Sequence, residues 1–122
     1  MSKKLGSYLQ NISAKDLDFN KMNGLIPVIT QDVNSGTVLM LAYTNSKALE
    51  KTQKTGYAHY WSRSRNVIWK KGEISGHLQQ IVEVLVDCDK DTLIFKVNQK
   101  GPACHTGEPN CFFNNLLIDW DL

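Results

Sequence analysis

No stretch of this sequence is apolar for long enough to cross a membrane, and its first residues, 1–23, are polar and mixed, without the apolar core of a signal peptide. An excess of one charge is also missing. Fourteen Lys and Arg against 12 Asp and Glu leave +2 over 122 residues, too little for bulk attachment to nucleic acid or a lipid surface. Proline is scarce, with 3 residues, and no repeat, low-complexity tract or linker divides the chain. Cysteine is scarcer than a disulfide framework needs: there are 3, and an odd number cannot pair off. With no export signal, this points to a reducing cytoplasm. One domain over 1–122, with 1–23 as a polar lead-in, is the expected organisation.

The pattern of the remaining residues predicts an α+β fold, a mostly antiparallel twisted sheet with one main helix against it. Leu25 to Thr30 is a β-branched run whose Pro27 implies a sheet edge or a strand start. Asn34-Ser35-Gly36 is a hairpin turn, and Thr37 to Tyr43 is the partner strand. A helix follows. Thr44 or Asn45 can cap it, Ala48, Leu49 and Thr52 share one face, and Gly56 ends it. Ala58 to Ser62 and Asn66 to Lys70 read as strands around an Arg63-Ser64-Arg65 turn, and Gln80 to Val86 and Thr92 to Asn98 as long buried strands. The tail from Phe112 is apolar and acidic, without a clear assignment.

Local charge says more than the total. Between Tyr57 and Gln80 stand Arg63, Arg65, Lys70 and Lys71 against Glu73. Between Ile81 and Asp91 stand Glu83, Asp87, Asp89 and Asp91 against Lys90. A basic stretch followed by an acidic one suits a substrate with phosphates at one end and metal chemistry at the other, although ordinary solvated surface has the same look.

The three cysteines are Cys88, Cys104 and Cys111. Three thiolates suit a zinc ion with an open fourth position, the arrangement of catalytic rather than structural sites. Gly101, Pro102, Gly107 and Pro109 make a turning loop that can bring Cys104 and Cys111 to one point, while Cys88 must approach from elsewhere. Taken alone, Cys88 would read as a small buried apolar group. In an extended segment Asp87, Asp89 and Asp91 would share one face opposite Cys88, and three carboxylates suit Mg²⁺. The competing reading is a turn in which these carboxylates cap backbone N–H groups.

His77, after the Gly72-Glu73-Ile74-Ser75-Gly76 loop, is a candidate general base. His105, beside a candidate ligand, suits a fourth ligand, a proton shuttle or a partner behind the metal. His59, among strand aromatics, reads as structural. Trp61-Ser62-Arg63-Ser64-Arg65 combines an aromatic face, hydroxyls and guanidinium forks, as a nucleotide site requires, and Lys71, Gly72, Glu73 and Ser75 extend it. RNA-binding segments share that composition. The Pro-Cys-x-x-Cys signature of zinc nucleobase deaminases is absent.

With these residues assembled, the chain resembles the phosphoribosyl-AMP cyclohydrolase family of histidine biosynthesis. The resemblance lies in Leu25 to Asp32, Val38 to Asn45, Trp61 to Arg65, Trp69 to Gln79, Asp87 to Asp91 and Gln99 to Cys111. Its most specific part is Asp87-Cys88-Asp89-Lys90-Asp91 with the later Cys104-His105-Thr106-Gly107 and Cys111. It implies hydrolytic opening of the adenine ring of phosphoribosyl-AMP at the N1–C6 bond, in an intertwined cytoplasmic homodimer. Zinc would be held by Cys88 of one chain and Cys104 and Cys111 of the other, and Mg²⁺ by Asp87, Asp89 and Asp91. No nicotinamide, flavin, ATP, nucleic acid or membrane partner is implied. The pyrophosphohydrolase domain that often follows in related chains is not expected here, leaving the preceding step to another protein.

Overall fold

The structure, a computed structural model, describes residues 10–121. Six strands and one helix follow a single 3-10 turn at Ala14–Asp16. They are β1 (Ile26–Asp32), β2 (Val38–Thr44), α1 (Ser46–Thr55), β3 (His59–Ser62), β4 (Val67–Lys70), β5 (Gln79–Val86) and β6 (Leu93–Gln99). The strand order is β4-β3-β2-β1-β6-β5. The sheet is mixed: β1 and β6 run parallel, with Val28 opposite Leu93, and the other neighbouring pairs run antiparallel.

The sheet curls until its two halves meet. The N–H of Ala58 donates to Gln79 O at 3.0 Å and that of Ile81 to Gly56 O at 2.8 Å. The start of β5 is thereby joined to the residues leading into β3. Inside the curl lie Ile26, Val28, Leu39, Met40, Tyr60, Leu93, Phe95 and Val97. The alternation of buried and half-buried residues along β1 and β6 is the two-residue period of a strand with one face inward.

α1 forms where the caps direct it. The Asn45 side chain accepts the Ala48 N–H at 2.8 Å, and Gly56 closes the helix in the left-handed region at φ 79°, which costs a glycine nothing. Ala48, Leu49 and Thr52 face the sheet. Burying Leu49 contributes about 1.5–3 kcal/mol. The Thr52 hydroxyl donates to Ala48 O and accepts the His59 N–H at 2.9 Å, tying the helix to β3. His59 is buried with its Nδ1 2.9 Å from Tyr57 O, a structural position.

Of the two positions expected for Pro27, the strand start is the one it takes: it is the second residue of β1, which is an interior strand. It faces Tyr43 of β2, and pairing with β6 begins only at Val28, so its missing N–H leaves no ladder bond unmade. Three other expectations need correction. β5 is not a buried strand: it ends the sheet, and Val82 is half exposed. Part of the polar lead-in belongs to the core, since Ala14, Leu17 and Phe19 pack against it, whereas residues 1–9 lie outside the described residues. The Asp87–Asp91 segment is a turn rather than extended chain. Lys90 takes a positive φ of 62°, and the alternation of faces inferred for the three carboxylates does not hold. The tail after Cys111 has no regular strand or helix among the described residues.

Candidate active site

The loop after β6 crosses to β2, where the Cys111 N–H donates to Leu39 O at 2.8 Å. Within it, Ala103 N–H donates to Pro109 O at 3.2 Å and Cys104 N–H to Glu108 O at 3.1 Å. These bonds fold the loop back on itself and bring Cys104 and Cys111 close enough to influence each other's ionisation. The Thr106 hydroxyl donates to Cys104 Sγ at 3.0 Å. That bond, with the Thr106 N–H and the positive Lys71 nearby, holds the Cys104 thiol below its ordinary range. Desolvation, and then the neighbouring Cys104, pushes Cys111 up.

Lys71 belongs to this loop. The residue after β4, it donates its ammonium to Ala103 O and stands 6.0 Å from the Trp69 ring. Of the residues considered for phosphate binding, it is the one aimed at the thiols.

Cys88 is elsewhere. It is exposed in the β5–β6 turn, its Sγ 3.7 Å from Asp89 Oδ1. Together with Asp87 and Lys90 it lines a hollow of about 570 Å³ floored by β5 and residues 10–12. Among the described residues, no three His, Cys, Asp or Glu side chains of one chain gather closely enough to hold a metal ion. The three aspartates have other partners instead. Asp87 Oδ1 accepts the N–H groups of Asp91 and Thr92 at 3.1 and 3.3 Å, the capping turn weighed above. Lys21 reaches Asp91 at 2.9 Å and Asp89 at 3.9 Å. Its hydrogen bond, opposed by some desolvation, lowers the Asp91 carboxyl below its usual range. No sequence signal marks Lys21, which lies far along the chain in the lead-in.

A second groove, about 410 Å³, gathers Arg65, Trp69, Lys70, Gly72, Glu73 and Ser75 with Val67, Ile68 and Ile74. The preceding turn is internally tied: Ser62 Oγ accepts the Arg65 N–H at 3.2 Å and lies 3.4 Å from Ser64 Oγ. The Arg63 guanidinium stacks 4.0 Å over the Tyr43 ring, while Trp61 is half-buried on β3. His105 is exposed beside Cys104. The His77 ring lies against the backbone of Gly101, at the root of the thiol loop.

Below these sites runs a buried polar chain that sequence reading did not anticipate. Tyr60 OH donates to Gln79 Oε1 at 2.6 Å and lies 2.7 Å from Thr30 Oγ1. Gln79 Nε2 donates to Gln99 Oε1 at 2.8 Å, and Gln99 Nε2 to His77 O at 3.4 Å. Complete burial raises the Tyr60 pKa well above that of a free phenol, so this hydroxyl stays protonated.

A family model described as phosphoribosyl-AMP cyclohydrolase matches residues 40–113. A relative named phosphoribosyl-AMP cyclohydrolase in Archaeoglobus fulgidus is 58% identical over 104 residues, covering 85% of this chain and 95% of its own. One of the same name in Cenarchaeum symbiosum is 56% identical over 102 residues, 84% of this chain and 94% of that one. The histidine biosynthesis bifunctional protein HisIE of Aquifex aeolicus is 61% identical over 101 residues, 82% of this chain but 49% of its own length. The chain belongs to the phosphoribosyl-AMP cyclohydrolase family, hydrolases of the histidine pathway.

Proposed function

We propose that this protein hydrolyses the N1–C6 bond of the adenine ring of phosphoribosyl-AMP, in the cytoplasm, as a homodimer whose active sites are each built from two chains. The observation that carries the shared site is the separation of the thiols. Cys104 and Cys111 are paired by their loop, and Cys88 stands exposed in another part of the fold. A soft three-sulfur site suits zinc, and the missing third donor is Cys88 of a second copy. Apolar surface on one chain supports a partner, since Leu41, Val82, Phe112, Leu116, Leu117 and Trp120 are exposed.

When bound, zinc lowers the pKa of water from about 15.7 toward neutrality, and Mg²⁺ at Asp87, Asp89 and Asp91 supplies positive charge to the substrate's phosphate. The chain's own residues do the rest. Lys71 offsets the charge of the thiolates, which three sulfurs would otherwise leave net anionic. The groove of Arg65, Gly72, Glu73 and Ser75 receives a phosphoribosyl group, and Trp61, Ser62, Arg63 and Ser64, which lead into Arg65 along the chain, add an aromatic face, hydroxyls and a guanidinium. N1 of the substrate carries the second phosphoribosyl group, so the ring is cationic and C6 electrophilic. His77 accepts the proton of the attacking water, and His105 hands a proton to the departing N1. At the Asp cluster the cation takes over the counter-charge now supplied by Lys21.

Subunit complementation tests this reading. Cys88→Ser and Cys104→Ser proteins are each expected to be inactive in ring opening followed by absorbance. Mixed under conditions of subunit exchange, they should recover about one quarter of wild-type activity. Half of the dimers would be mixed, and each would hold one site with all three cysteines. Exchange without recovery refutes the shared site. Full activity in Cys104→Ser refutes the zinc assignment, and a wild-type chain that leaves phosphoribosyl-AMP intact refutes the function.

A further inference from the structure

We infer that Gly101 and Gly72 are positioning residues that clamp His77 against the root of the thiol loop. The inference rests on the proposed role of His77 as proton acceptor. Gly72 (φ 81°) and Gly101 (φ 74°) both take the left-handed conformation, but the stronger constraint is space. A Cβ on Gly101 would stand 2.5 Å from His77 Cδ2, 3.0 Å from Nε2 and 3.1 Å from Cγ. A Cβ on Gly72 would stand 2.4 Å from the His77 carbonyl carbon and 2.6 Å from Leu78 N. One glycine thus admits the ring and the other admits the backbone.

The residue is held at further points. Its N–H donates to Ser75 Oγ at 3.1 Å, and its carbonyl accepts from Gln99, the outer end of the buried Tyr60–Gln79–Gln99 chain. Gly101 itself lies three residues before Cys104, in the loop that Lys71 ties down. The ring and the thiol loop are therefore in register through a backbone contact that only glycine permits. A base must sit within hydrogen-bond reach of the proton it removes, so this contact fixes the distance from His77 to the attacking water.

Since carbon atoms in contact are ordinarily about 3.5–4.0 Å apart, Gly101→Ala must push the ring by roughly 1 Å. Such a misplacement costs on the order of 100-fold in rate. The experiment is a cycle of wild type, Gly101→Ala, His77→Ala and the double variant, all full-length and loaded with zinc and Mg²⁺. Gly36→Ala serves as the control, because it has the same backbone strain (φ 76°) with open space around its Cβ. Gly101→Ala is expected to lower kcat about 100-fold with KM within twofold. The double variant should be no slower than His77→Ala, and Gly36→Ala should turn over like wild type. Gly101→Ala should also lower Tm more in the wild-type background than in His77→Ala, where the clash is gone. That readout holds even if Gly101→Ala folds poorly.

Unchanged kcat in Gly101→Ala overturns the clamp. So does an equal loss of Tm in both backgrounds, or a double variant slower than His77→Ala. Wild-type activity in His77→Ala overturns the base assignment instead, whatever Gly101→Ala does to Tm.

Discussion

Replacing Tyr60 by phenylalanine removes one oxygen from the centre of the curled sheet and leaves the ring's packing on Trp69 and Phe95 intact, with centroids 5.1 and 5.7 Å away. The hydroxyl donates to Gln79 Oε1, so the donor between it and Thr30 is the Thr30 hydroxyl. Tyr60→Phe therefore orphans a fully buried amide oxygen and a buried hydroxyl at once. An unsatisfied buried acceptor costs about 1–3 kcal/mol, and the lost bond from Thr30 adds about 0.5–1.5 kcal/mol. We expect about 2–4 kcal/mol in total. With an m-value of about 1–3 kcal/mol/M, the urea midpoint falls by roughly 0.7–4 M. Trp69 fluorescence reports the transition, followed at one fixed protein concentration. Thr30→Val supplies the internal check. It leaves the Tyr60–Gln79 bond in place and should cost only about 0.5–1.5 kcal/mol. A Tyr60→Phe cost below about 0.5 kcal/mol, or one no larger than that of Thr30→Val, would refute the reasoning.

Two further outcomes follow from single side chains. Lys21 depresses the Asp91 carboxyl, so its contribution is present above the ordinary carboxyl value of 3.8 and is lost as pH falls through the lowered one. Metal-free Lys21→Met should have a lower urea midpoint than wild type at neutral pH, with the two converging near about pH 2; a gap that persists in acid contradicts the linkage. Asn45→Ala removes the side-chain acceptor at the start of α1 and should cost about 1 kcal/mol by thermal melting, while Asn45→Asp should keep most of the stability.

What was legible in the sequence was local. The caps of α1, the Asn34–Gly36 turn and each strand's approximate span depend on neighbours a few residues apart, and those residues state them directly. The parallel pairing of β1 with β6 depends on segments at opposite ends of the chain, and an alternating pattern reads the same in either direction. Pro27 implies an edge or a strand start from its missing N–H alone, and only the register decides for the strand start. The Asp87–Asp91 segment defeated the alternation argument because Lys90 turns the chain, and lysine gives no warning of a positive φ. At the site, the thiol loop could be read from its Gly and Pro spacing. The placement of Lys71 beside the sulfurs could not, since a lysine in a basic stretch looks equally suited to phosphate. Lys21 and the Tyr60–Gln79–Gln99 chain join residues that only the tertiary fold brings together.

The parallel pairing also governs when this protein can fold during synthesis. β1 leaves the ribosome early and can form its hairpin with β2, but its other edge stays open until β6 emerges. At about 5–20 residues per second, the interval between Val28 and Leu93 is roughly 3–13 s. Throughout it the nascent hairpin presents the unpaired amides of Ile29 and Gln31 as a template for any other strand nearby. The thiol loop follows β6, and its Cys111 docks on β2. Cys104 and Cys111 are therefore brought together only after the strand that closes the sheet has emerged, which keeps the two thiols apart until the fold is nearly complete.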